Sequence, residues 1–274
     1  MYVSISLAMM MIPSRRYSFG VRAFDSAVRV ESDNEEVRDV LGRFLLPPLP
    51  RCDVSLASAD ILIAVLNSSA GFDILLNDQK VSSAATISDA ALETVKALDD
   101  VLVKKLKALR AVHAGAVELS GRALLIPGLS HAGKSSLVAE LLRRGAAHLS
   151  DEYALVDVEG NVHAYPRPLL LRDGSTKQAL FLPGDLKARF ATEPVPAGWI
   201  VAVEYQPEGM WDIRQISQGE GVMLLLRNTP HEMEQSPEMI TQFTRCAASA
   251  KCYAGTRGDV VEAASRVLEL ISGG

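Results

Sequence analysis

The run Gly128-Leu129-Ser130-His131-Ala132-Gly133-Lys134-Ser135 constrains this chain more than any other stretch. Its glycine spacing, closed by Lys and Ser, is that of a loop whose backbone N–H groups wrap a phosphate. The glycines let the backbone turn inward, and the helix start that follows adds unpaired donors and partial positive charge. In such a loop Gly128, Leu129, Ser130, His131, Ala132, Gly133, Lys134, Ser135 and Ser136 surround the phosphates. Lys134 reaches the outer ones and the Ser135 hydroxyl binds Mg²⁺. The motif needs a strand before it and a helix after it. Both are expected: residues 123–126 form an apolar run, and Leu137, Val138, Leu141 and Leu142 recur at helical intervals.

Other function classes find less support. The net charge is −5 and the basic residues are scattered, so the chain offers no electrostatic footprint for nucleic acid. Cys52, Cys246 and Cys252 have no paired metal spacing and are too few for a disulfide framework. A reducing, cytoplasmic setting is therefore expected, with Cys246 and Cys252 as small core residues. Residues 1–12 are apolar but too short to span a bilayer and lack a basic start, so residues 1–16 read as a poorly ordered leader rather than a signal or membrane segment.

Along the chain, residues 17–30 have the alternation of one or two strands. Ser32 and Glu35 have capping-box spacing, and Val37, Val40, Leu41 and Phe44 then mark a helix that Pro47, Pro48 and Pro50 end. Residues 61–66, 72–76 and 80–84 read as strands, the last two as a hairpin through Asn77-Asp78. Ser88 caps a helix expected to run to Arg110, with Leu92, Val95, Leu98, Leu102, Leu106 and Leu109 on one face. Residues 1–110 thus form an α+β portion without a catalytic constellation.

Residues 111–274 have the character of a nucleotide-binding domain. Strands are expected at 111–119 and 123–126, a helix at 136–144, a return at 146–149, and a hairpin over 153–165. An apolar run at 169–171, a strand at 199–205, and helices near 219–226, 237–250 and 259–271 complete it. Asp151-Glu152 stands seventeen residues after Lys134, the distance needed to run down the helix and return along a neighbouring strand. That return would put carboxylates beside the phosphates, where phosphoryl transfer needs one acidic group for Mg²⁺ and another to accept a proton. Arg167, flanked by Pro166 and Pro168, sits in a restricted extended segment able to present a guanidinium to phosphate or substrate, or to form a rigid surface turn.

The run from His113 through Asp151-Glu152, with its loop, Arg143-Arg144-Gly145 and acidic pair, resembles the catalytic domain of the HPr serine kinase/phosphorylase family. It is most similar to the HPr-kinase-related branch found beside bacterial peptide-tailoring and exopolysaccharide genes, which also carries a Pro-Arg-Pro segment like that at 166–168. The resemblance covers about 60 residues. It implies an α/β fold: a phosphate-loop domain with a mixed sheet flanked by helices, similar to phosphoenolpyruvate carboxykinase, preceded by a smaller α+β portion. It also implies an ATP- and Mg²⁺-dependent kinase acting on a serine hydroxyl of a peptide, small protein or small acceptor, and it is compatible with a homo-oligomer. Carried over by position, Asp151 is the base with His113 close to its carboxylate. Glu152 and Ser135 hold the metal, with Asp151 beside them, and Lys134 and Arg167 stabilise charge. His131 replaces a usual glycine, Glu152 a usual Asp, and the HPr-kinase signature after the acidic pair is not found, so reverse phosphorylase activity is not expected. The alternative is a nucleotide-binding regulatory module of the same fold that transfers nothing.

Overall fold

The computed structural model describes residues 17–45, 49–129, 132–165, 167–172, 177–231, 233 and 235–273. The expected leader, Pro47, Pro48, Ser130, His131 and Pro166 lie outside them. The chain divides into two compact units, Met1–Arg43 with Arg51–Leu98, and Phe44–Pro50 with Asp99–Gly274.

In the first unit, β1 (Tyr17–Ala23), β2 (Ser26–Ser32), β3 (Ile61–Ser68), β4 (Gly71–Leu76) and β5 (Gln79–Ala84) form a sheet in sequence order. β2 and β3 are parallel, with α1 (Glu35–Leu45) in the connection between them; the other pairs are antiparallel. The inner pair β2 and β3 is buried almost throughout, Val28, Val30 and the run Ile61 to Leu66 included, so both of its faces are covered. The β4–β5 turn is made by Asn77 and Asp78, both at positive φ (48° and 66°), the backbone that a tight hairpin requires.

Two expected helix caps shift. Ser32 ends β2 and its hydroxyl donates to the Val65 carbonyl, while Asn34 accepts from the Val37 N–H at the start of α1. Thr86, not Ser88, accepts the Asp89 N–H ahead of α2 (Ile87–Lys105). α2 also stops at Lys105 rather than Arg110, so Leu106 and Leu109 leave the apolar stripe.

The second unit is built on a mixed sheet. Its strands are β6 (Arg110–Leu119), β7 (Arg122–Pro127), β8 (Ala147–Ser150), β9 (Tyr153–Val156), β10 (Asn161–His163), β13 (Val195–Tyr205), β14 (Asp212–Ile216) and β15 (Lys251–Arg257). Their order is β10-β9-β6-β7-β13-β15-β14, with β8 also on β6. β7, β13 and β15 run parallel, and β6 and β14 antiparallel to their neighbours. β11 (Leu169–Arg172) and β12 (Gln178–Phe181) form a separate ribbon. β12, β14 and β15 were not anticipated from the sequence.

Helices cover both faces of this sheet. Leu124, Ile126, Val201 and Val203 pack with α3 (Lys134–Arg143) and α6 (Val260–Ser272) on one face. Ala123, Leu125, Ala197 and Ile200 pack with α4 (Gln218–Arg227) and α5 (Pro237–Ala248) on the other. Neighbouring residues of β7 thus face opposite layers, which explains why 123–126 is apolar throughout. Cys246 and Cys252 lie in this core as free thiols. No helix among the described residues is long and apolar enough to cross a membrane. Phe243 is among the largest fully buried side chains of the unit. Phe243→Ala should lower unfolding free energy by about 3–5 kcal/mol in denaturant titrations, the usual effect of an aromatic-sized core cavity.

Candidate functional site at the start of helix α3

β7 ends at Pro127 and α3 begins at Lys134, so the strand, loop and helix order of the motif is realised, with the helix starting two residues earlier than expected. The residue before the helix, Gly133, has φ 78° and ψ 18°, a left-handed conformation that costs a side chain energy. No described side chain caps α3. Its first N–H groups therefore face outward at the positive end of the helix, the usual arrangement of an anion site. The helix approaches β6 closely because position 115 is glycine; a Cβ there would lie 2.6 Å from Val138 Cγ2.

β6 brings His113 to the same end of the sheet, since the tight β6–β7 turn at Ser120-Gly121 aligns Ala114 with Pro127. The imidazole Nδ1 lies 3.0 Å from the Gly128 carbonyl, and Nε2 lies 2.5 Å from Glu152 Oε1. A carboxylate only accepts, so Nε2 carries the proton of this bond. The Lys134 ammonium is nearly buried, donates to the Leu129 carbonyl at 3.0 Å, and stands 3.3 Å from His113 Nδ1. Burial lowers the Lys134 pKa, against the opposing pull of Glu152 and Asp151.

Asp151 and Glu152 occupy the step between β8 and β9, which pair in turn with the same edge of β6. Leu149 is an inserted residue in that pairing, a bulge that re-aims the acidic pair beyond it. Asp151 is wholly buried and accepts the Leu170 N–H at 2.9 Å, with the Ser135 hydroxyl close enough to act on its charge. Burial pushes its pKa up, while Arg167, the Leu170 amide and, least, the Ser135 hydroxyl pull it down. His113 therefore pairs with Glu152 rather than with Asp151, as the resemblance had implied, because Asp151 turns toward α3 and β11. For Glu152 burial acts upward, but the His113 hydrogen bond and Arg167 outweigh it and hold the carboxyl below its usual range.

Arg167 is buried as well, which replaces the expected exposed segment with an internal ion cluster. Its Nη1 is 3.5 Å from both Asp151 Oδ1 and Glu152 Oε2, and its Nη2 is 3.0 Å from Asp99 Oδ2. The Nη2 contact lacks hydrogen-bond geometry, yet the Coulomb attraction does not depend on that angle. The Tyr165 hydroxyl donates to the other Asp99 oxygen at 2.7 Å. Burial alone would depress Arg167, but Asp99, Asp151 and Glu152 together hold it protonated.

The structure thus brings together His113, Gly128, Leu129, Ala132, Gly133, Lys134, Ser135, Asp151, Glu152 and Arg167, with Ser136 exposed on the first turn of α3. Ser130 and His131 lie outside the described residues. Sequence reasoning missed Asp99 and Tyr165, which fix Arg167, and Arg257, which donates from Nη2 to the Gly133 carbonyl at 2.9 Å. The Asp99 signal was faint: one acidic residue in the apolar stripe of a helix. Ser135 and Asp151 supply the hard oxygen donors suited to Mg²⁺. Among the described residues no group of three or more His, Cys, Asp or Glu forms a self-contained metal site. No protein-family model matches the chain, and no curated protein matches it.

Burial pushes Asp99 up from 3.8 to about 7, although Arg167 and Tyr165 oppose it. The folded state then holds a proton that the unfolded state has released between these values, so this group costs stability as pH rises from about 4 to about 7. Asp99→Asn should remove that cost. Relative to wild type, its unfolding free energy should rise by more than about 1 kcal/mol across the window; a constant difference would contradict the assignment.

Proposed function

We propose that the second unit is an ATP- and Mg²⁺-dependent kinase of the HPr-kinase type, a phosphate-loop domain transferring the γ-phosphoryl group to a serine hydroxyl of a peptide, small protein or small acceptor. The observation that carries this reading is one charged cluster at the uncapped start of α3, in which Lys134 stands beside the His113–Glu152 pair and Ser135 lies near Asp151. The sequence resemblance over His113 to Glu152 supports it independently.

In this reading the loop amides and Lys134 hold the triphosphate and stabilise charge on the transferred group. Mg²⁺, when bound, neutralises the β- and γ-phosphate oxygens. Ser135 and Asp151 would hold it as hard oxygen donors, with the Asp151 carboxylate oriented by the Leu170 amide and Arg167. Glu152 is more accessible, with about a quarter of its side chain exposed, and takes the proton of the acceptor hydroxyl as the new O–P bond forms and the bond to the β-phosphate oxygen breaks. His113 orients that carboxylate. The roles of Asp151 and Glu152 are thus exchanged relative to those the resemblance implies. Arg167 is a positioning residue between them.

A second reading, a nucleotide-binding regulatory module, draws on the complete burial of Asp151. Nucleotide binding without transfer to any acceptor would favour it.

Lys134→Ala should abolish Mg²⁺-dependent nucleotide binding and turnover, measured by titration calorimetry and labelled-phosphate transfer. Glu152→Gln should keep binding and lower transfer by at least about 100-fold. Asp151→Asn should weaken the Mg²⁺ dependence of binding. Turnover unaffected in Lys134→Ala would defeat the kinase reading, and full transfer by Glu152→Gln would defeat the exchanged roles.

A further inference from the structure

The two sides of the loop carry different chemistry. Toward β6 and β9 lie the carboxylates and His113. On the other side, β13 and β15 run parallel to β7 and end at Tyr205 and Arg257, which are register partners. The Arg257 guanidinium lies over the Tyr205 ring at 5.1 Å from its centroid. It also donates to the Gly133 and Gly258 carbonyls, both at 2.9 Å. Arg257 is 3% exposed, and its Nε has no hydrogen-bond partner among the described residues. Tyr205, by contrast, is 46% exposed. A Cβ on Gly133 would lie 3.4 Å from the Tyr205 Cβ, so the base of this side chain stands beside the last glycine of the loop. The turn after β13 is tied back by Gln206 N–H to the Arg257 carbonyl, and it leaves Met210 80% exposed.

With a buried cation on one face and nearly half of the residue exposed, the Tyr205 ring offers a flat apolar surface on which a planar group can stack. A nucleoside triphosphate is itself two-ended. If its terminal phosphate points to the acidic side of the loop, its nucleoside must leave on the other side, at the ends of the parallel strands where ligands of open α/β sheets sit. We propose that Tyr205 is the nucleobase platform of this site, with the base stacked on the ring face opposite Arg257. Stacking on an aromatic ring tolerates any base, so the contact adds affinity more than base selectivity. Arg257 acts as a positioning residue that fixes both the ring and the Gly133 carbonyl.

This inference rests on the nucleotide reading above, and the test separates the two. Equilibrium binding of Mg²⁺-ATP and of Mg²⁺-tripolyphosphate, which has no base, would be measured on the full chain. Wild type should bind ATP about tenfold or more tightly than tripolyphosphate. Tyr205→Ala and Tyr205→Leu should each lose about tenfold for ATP while keeping tripolyphosphate affinity, and Tyr205→Phe should keep both. Equal wild-type affinity for the two ligands, or undiminished ATP binding in Tyr205→Ala and Tyr205→Leu, would overturn the platform. Equal losses for both ligands would also overturn it, since the ring would then be a prop for the loop. Binding of neither ligand by wild type would instead overturn the nucleotide reading itself.

Discussion

One buried guanidinium organises the charged interior of the second unit. Arg167 holds Asp99, Asp151 and Glu152 within a space from which water is largely excluded. Three carboxylates could not share that space without it, since like charges at low dielectric repel strongly. The cation also fixes where each carboxylate points. Asp151 is turned to Ser135 and the Leu170 amide, and Glu152 to His113. A residue read from sequence as a possible phosphate contact therefore works one layer deeper, on the groups that face the loop.

The loop side of the site depends on a second constraint, the left-handed Gly133. Its φ of 78° turns the chain into α3, and its carbonyl is held by Arg257 from β15. A side chain at this position would collide with the Arg257 guanidinium, 2.1 Å from a Cβ. The glycine thus serves two needs at once, backbone conformation and close approach of a cation. Between Arg167 on one flank and Arg257 on the other, the start of α3 is framed by two buried arginines with different tasks.

Much of this was legible in the sequence, and the remainder failed for physical reasons. The loop, its flanking strand and its helix are local patterns, and the acidic pair lies within reach of one helix and one return strand. Asp99 is 66 residues from Tyr165, and nothing local marks an acidic helix residue as the partner of a distant arginine. β15 was missed because Lys251, Gly255, Thr256 and Arg257 break any apolar run; its parallel pairing with β13, not its own propensity, makes it a strand. With β15 unseen, Arg257 could not be placed. The shifted caps are smaller errors of the same kind: Ser32 and Asn34, or Thr86 and Ser88, are all able to cap, and tertiary contacts choose between them.

The central claim is that the start of α3 receives a triphosphate whose terminal phosphate meets Lys134 and the carboxylate pair. A crystal structure of the full chain with Mg²⁺ and a non-hydrolysable ATP analogue tests it most directly. The account predicts the β- and γ-phosphates within the loop amides, Lys134 Nζ on the γ-phosphate, and the Ser135 and Asp151 oxygens on the metal side. A nucleotide bound elsewhere, or one bound with its γ-phosphate turned away from Glu152, would contradict it.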